Sequence, residues 1–139
     1  MIESMKDYRS IKLPVKRLHE LSAGIVYLFG SYAEEAAGRL SDVDIGVVFR
    51  DPSIVHGNTF PVYNRLYDLF SDSFDCGNLD IILLERASLE LQFDVITHGI
   101  VLFESSFEFR DNYEHRIVML YADFKPLLNA FDQAVLSRI

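Results

Sequence analysis

A chain of 139 residues, half of them hydrophobic, has material for one globular core and too little for a second, so a single domain over 1–139 is expected. Thirteen Lys and Arg against 21 Asp and Glu leave a net charge of −8, which argues against stable nucleic-acid binding unless cations or a local basic patch intervene. Cys76 is the only cysteine, the N-terminal MIESMKDYRSIKLPVKRL lacks a signal-peptide core, and no apolar run approaches the ~20 residues of a membrane span; no disulfide, no membrane and a cytoplasmic location are expected.

Leu13 to Ala23 reads as a short helix, with Pro14 in its first turn and Gly24 at its end. Ile25 to Phe29 is a β-branched and aromatic run that stops at Gly30, the signature of a buried strand. Tyr32 to Gly38 suits one or two helical turns, and Asp44 to Phe49 reads as a second strand. Asp51 to Thr59 has a loop composition, after which Thr59 can cap a helix carrying Val62, Leu66, Leu69 and Phe70 on one face. Residues 75–78, DCGN, form a turn before a third strand, Leu79 to Leu84. Ala87 to His98 reads as a helix stopped by Gly99, and Ile100 to Phe103 as a fourth strand. From about Phe107 onward Ile117, Leu120, Tyr121, Phe124, Leu127, Leu128, Phe131 and Val135 recur every three or four residues, so a long helix is expected, kinked or divided near Pro126. The order predicts an α/β (α+β) domain: a mixed central sheet of about four strands flanked by helices.

The segment GSYAEEAAGRLSDVDIGVVF, 30–49, carries the chemistry. A strand runs into Gly30-Ser31, ten residues intervene, and Asp42-Val43-Asp44 opens the next strand. Residues two apart on a strand share a face, so the Asp42 and Asp44 carboxylates can converge, and they repel unless a cation lies between them. Magnesium suits such a pair because it is hard, prefers oxygen, and is commonly held by one or two carboxylates plus substrate phosphates. Gly30 permits close backbone approach to a ligand, while the Ser31 hydroxyl can donate to a phosphate oxygen. Asp80 opens an otherwise apolar strand; beside Asp42 and Asp44 it would complete a three-carboxylate set able to hold two metal ions. The plain alternative is an Asx-rich turn with a solvated aspartate at the end of a strand.

The pattern of Gly-Ser, ten residues, Asp-x-Asp and a later strand aspartate resembles the DNA polymerase β-like nucleotidyltransferases. Short length and the C-terminal YADFKPLL narrow the resemblance to the minimal nucleotidyltransferases (MNT), the antitoxin halves of HEPN/MNT toxin–antitoxin pairs. The resemblance implies the nucleotidyltransferase fold and transfer of AMP from ATP to a tyrosine hydroxyl of a partner HEPN ribonuclease toxin, which it silences. It further implies that Asp42 and Asp44 bind two Mg²⁺ ions, that Asp80 binds the catalytic one, and that Gly30 and Ser31 hold the triphosphate. Many relatives carry basic residues soon after Gly-Ser; here Glu34 and Glu35 stand there and Arg39 comes later.

Other residues are weaker candidates. His19, His56, His98 and His115 form no metal-ligand spacing, and Cys76 has no obvious activator. Gly46 shares the Asp44 face and could leave room for a nucleotide or for close packing. The apolar stripe of the last helix is expected to pack on the protein's own sheet, with a partner-docking groove as the alternative. Two further functions compete with the antitoxin enzyme: a small-molecule nucleotidyltransferase acting on an aminoglycoside-like polycation, which the acidic charge would suit, and an antitoxin acting by binding alone.

Overall fold

The computed structural model describes residues 8–30, 33, 42–75 and 78–138. Its centre is a four-stranded sheet made of β1 (Ala23–Phe29), β2 (Val43–Phe49), β3 (Leu79–Leu83) and β4 (Ile100–Glu104). The strand order is β3-β2-β1-β4. β1 pairs antiparallel with both β2 and β4, whereas β2 and β3 run parallel. The mixed sheet matches the expected class.

Position in the sheet explains each strand's sequence. β1 is central and buried at all seven positions, so it reads as a continuous apolar run. β3 lies at an edge and alternates, with Asp80 outward and Ile81 and Leu83 inward. One face of the sheet packs on α1 (Val15–Glu20) and α2 (Phe60–Phe74) through Leu18, Leu66, Leu69, Phe70 and Phe74. The other face packs on α3 (Leu89–His98) and the first turns of α4 (Phe107–Leu136) through Val95, Tyr113 and Ile117.

Several boundaries depart from expectation. α1 stops at Glu20 because Ser22 takes a left-handed backbone, φ 61°, and β1 then begins at Ala23. Gly24 therefore does not end the helix; it lies within β1, and a Cβ there would fall 2.4 Å from the Phe109 ring that covers it. Thr59 precedes α2 without capping it: Asn58 Oδ1 accepts from the Phe60 N–H at 3.1 Å, and Thr59 Oγ1 instead accepts from Arg86. Residues 52–55 and 84–86 form short 3₁₀ turns, the second of which delays α3 until Ser88 can cap it. The turns expected over Tyr32–Gly38, and Cys76, fall largely or wholly outside the described residues.

α4 runs through Pro126 as one helix of 30 residues and is not divided there. Its apolar stripe only partly meets the expectation that it packs on the sheet. Tyr113 and Ile117 are buried, and Tyr121 stacks on Phe93 with ring centroids 4.0 Å apart. Leu120, Phe124, Leu127, Phe131 and Val135 are exposed, because the helix continues past the edge of the layer beneath it.

Candidate active site

Three chain segments meet at one end of the sheet. β1 ends at Phe29, which pairs with Asp44 near the start of β2; Asp44 in turn pairs with Asp80 on the parallel strand β3. The register between β2 and β3 is fixed just ahead of them, where the Val43 N–H donates to the Asn78 carbonyl at 2.8 Å. Val43, Ile45 and Val47 point into the α1/α2 core, so the alternation of the strand sends Asp44 to the opposite face. The same rule in β3 buries Ile81 and puts Asp80 beside Asp44.

Gly30 closes the site from the β1 side. Its backbone is left-handed, φ +72°, and a Cβ there would lie 2.1 Å from Asp44 Oδ2. Only a residue without a side chain lets the backbone turn against that carboxylate. Ser31, the other half of the expected phosphate cradle, lies outside the described residues, as do Glu34, Glu35 and Arg39.

Electrostatics binds the carboxylates into one system. Burial, then the charges of Asp80 and Asp42, then a hydrogen bond with Asp80 push the Asp44 carboxyl up to about 6. A half-buried acid that resists ionisation beside two other acids is the behaviour expected of a site that accepts positive charge. The expected convergence of all three is looser than the sequence implies. Asp44 and Asp80 are in hydrogen-bonding contact, while Asp42 stands one residue ahead of the ladder, exposed and within electrostatic reach of Asp44. Among the described residues no three His, Cys, Asp or Glu side chains stand close enough together to hold an ion as they are.

Residues 17–108 match the family described as polymerase beta, nucleotidyltransferase. The chain belongs to that family. The matched span contains Gly30, Asp42, Asp44 and Asp80, so the candidate site lies inside the nucleotidyltransferase domain. No curated protein matches the chain. Among solved structures it is similar to a chain of a toxin–antitoxin complex with AMP-PNP, at 22% identity and TM-score 0.66, covering 89% of this chain and 99% of that one. A tri-AMPylated Shewanella oneidensis HEPN toxin in complex with an MNT antitoxin is similar at 20% identity and TM-score 0.61, over 87% and 94% of the two chains. The toxin–antitoxin complex MntA-HepT is similar at 19% identity and TM-score 0.61, over 87% and 95%. At these identities the likeness is one of fold.

The donor set of this nucleotidyltransferase fits magnesium. Asp44 and Asp80 offer adjacent hard oxygens whose mutual repulsion a divalent ion would relieve, and Gly30 leaves open backbone beside them. Gly46 does not leave space for a nucleotide: a Cβ there would meet the Leu84 side chain at 3.0 Å, so its smallness serves packing. No histidine is among the groups that shift the Asp44 carboxyl; His19 lies edge-on to Phe103, and His98 pairs with Asp94 on the exposed side of α3. Asn78, whose carbonyl sets the register of the two aspartates, was not foreseen, and a turn residue without a side-chain motif gives no sequence signal for such a role. No helix among the described residues is long and apolar enough to cross a membrane.

Proposed function

We propose that this chain is an antitoxin that transfers AMP from magnesium-bound ATP to a tyrosine hydroxyl of a partner HEPN-family toxin, releasing pyrophosphate and silencing the toxin. It does so as one nucleotidyltransferase domain, 1–139, in the cytoplasm. The observation that carries the reading is the pairing of Asp44 with Asp80 beside the left-handed Gly30, in a chain of nucleotidyltransferase family. The acceptor is supported by the fold's neighbours, one a toxin–antitoxin complex with AMP-PNP and another an AMPylated HEPN toxin bound to its MNT antitoxin.

In this reading Asp42, Asp44 and Asp80 hold two magnesium ions. When bound, magnesium supplies charge neutralisation on the triphosphate and lowers the pKa of the attacking hydroxyl. Gly30 and Ser31 hold the triphosphate, the first by close backbone approach and the second by its hydroxyl. Asp80 belongs to an edge strand and is exposed, so the acceptor tyrosine approaches from that side. Its oxygen attacks the α-phosphorus, the bond to pyrophosphate breaks in line, and the phenolic proton leaves towards Asp80.

The test incubates the purified chain with ATP, magnesium and the protein encoded beside it, then weighs that protein. A gain of one or more AMP masses, lost with Asp44→Asn or Asp80→Asn, is the expected result. A stable complex without mass gain would replace modification with binding. Transfer confined to small polycations would move the acceptor to a small molecule.

A further inference from the structure

The negative charge of the chain is unevenly spread. Residues 8–19 hold Arg9, Lys12, Lys16 and Arg17 and no acid, while the rest of the chain holds nine bases and 21 acids, a net of −12. The fold gathers these bases around α1. Lys12, Lys16, Arg17 and His19 are all exposed. Leu18 turns into the core, so at 3.6 residues per turn Lys16 points outward and Arg17 and His19 lie to either side of it. A further cation joins them from the end of β2: Arg50 Nη2 donates to the His19 carbonyl at 2.8 Å, and the Arg50 N–H donates to the Ser22 carbonyl at 2.8 Å. Glu20 and Asp51 border the patch, but Asp51 is turned onto the Ser53 N–H. Among the described residues Lys12, Lys16, Arg17 and Arg50 form no salt bridge. A local basic patch is the exception that the overall charge leaves open for nucleic acid.

Chemistry selects the ligand. Lysine ammoniums are point charges that suit phosphate oxygens, and lysine is depleted from protein–protein interfaces. Val15 is the one large apolar residue exposed on α1, too little to enter a membrane. His19 adds a flat surface. Its ring stands edge-on to Phe103, 5.4 Å between centroids, while the residue stays exposed, which leaves a ring face for a base. Cations that track a backbone beside an aromatic ring are the arrangement that holds a single strand. A duplex would lay a second charged strand over the acidic surface around the patch, which repels it.

We propose that the α1 surface, formed by Lys12, Lys16, Arg17, His19 and Arg50, holds single-stranded nucleic acid in a weak, salt-sensitive contact made through phosphates and one stacked base. The patch lies at the opposite end of β1 from Gly30, about 20 Å away at ~3.3 Å per residue, so it does not depend on the catalytic reading.

Fluorescence anisotropy with labelled uridine and thymidine oligonucleotides of about ten nucleotides tests it, in EDTA so that no metal assists. Binding should weaken with salt at a log–log slope of about −3, the value for four neutralised phosphates of a single strand. Lys16→Glu with Arg17→Glu should roughly halve that slope and weaken binding more than tenfold, with unchanged circular dichroism because both side chains are exposed. His19→Ala should weaken binding roughly tenfold at unchanged slope, and His19→Phe should restore it. The charge variant decides the matter if His19→Ala disturbs the fold. The strand that binds more tightly identifies the ligand as RNA or DNA. The proposal is overturned by no binding at low salt, by a slope indifferent to charge reversal, or by a loss at His19→Ala that phenylalanine does not restore. Tighter binding of duplex DNA of the same length, or flotation with phosphatidylglycerol vesicles without oligonucleotide binding, overturns it equally.

Discussion

Asp44 is held in an environment that opposes its own charge. Its carboxyl is raised to about 6, first by burial and then by Asp80 and Asp42. The sign of the consequence follows from proton binding. Between the ordinary carboxylate value of 3.8 and about 6 the folded chain binds more protons than the unfolded one, so this residue's contribution falls as pH rises through that window. Without magnesium, Asp44→Asn should therefore raise Tm at pH 7 by about 2 °C, a modest figure because the group is partly solvated. The gain should shrink towards pH 4, and thermal melts at the two pH values check it; a variant that melts lower than wild type at pH 7 contradicts the strain. Gly30 supplies the complementary test. Gly30→Ala forces a side chain into left-handed backbone, a cost of about 1–2 kcal/mol, and drives its methyl into the Asp44 carboxylate. If Asp44 holds the metal as proposed, its displacement should lower the transfer rate roughly 100-fold. Single-turnover kinetics would show it; near-normal transfer would separate Gly30 from the site.

At the scale of elements, legibility in the sequence followed burial. β1 and β2 were readable because strands buried on both faces leave an apolar run, and because Gly30 and Asp42 punctuate them. The Asp44–Asp80 contact was readable only as a possibility, since the parallel register that makes it depends on a crossover through α2. The end of α1 was hidden because Ser22 takes a conformation usually left to glycine, so Gly24 looked like the stop. In α4 the periodicity revealed a seam but not what covers it. Periodicity reports that a face is apolar; burial depends on how far the underlying layer extends. Two alanine substitutions measure that boundary. Ile117→Ala, at a site 3% exposed, should cost about 2–4 kcal/mol, whereas Leu127→Ala, at 69%, should cost under ~0.5 kcal/mol. Denaturant unfolding of both variants tests this, and equal losses would mean that the overhang folds back onto the body.

Considered as a whole molecule, the chain is an acidic body that must gather an anionic substrate. Its net charge of −8 repels triphosphate at long range, so in the proposed reaction divalent cations would serve recruitment as well as chemistry. The acidic residues around Asp44 concentrate that requirement at one end of the sheet. Under the proposed function a proton and a magnesium ion compete for the same carboxyl, because the ligand must be deprotonated to bind. With Asp44 titrating at about 6, magnesium affinity should be nearly constant above pH 7 and fall by up to about tenfold per unit once pH drops below 6. Titration calorimetry in buffers of different ionisation enthalpy reads both halves of the exchange. Proton release on binding should be negligible at pH 8 and approach one per Asp44 near pH 5. Chelation should reverse any magnesium-induced rise in Tm, and the rise should be largest at neutral pH, where the unrelieved repulsion among Asp42, Asp44 and Asp80 is greatest. Asp44→Asn should remove both the proton release and most of the thermal shift. Magnesium binding that is equally tight at pH 5 and pH 8, or that survives Asp44→Asn unchanged, would place the ion elsewhere on the acidic surface and detach the carboxylate pair from nucleotide chemistry.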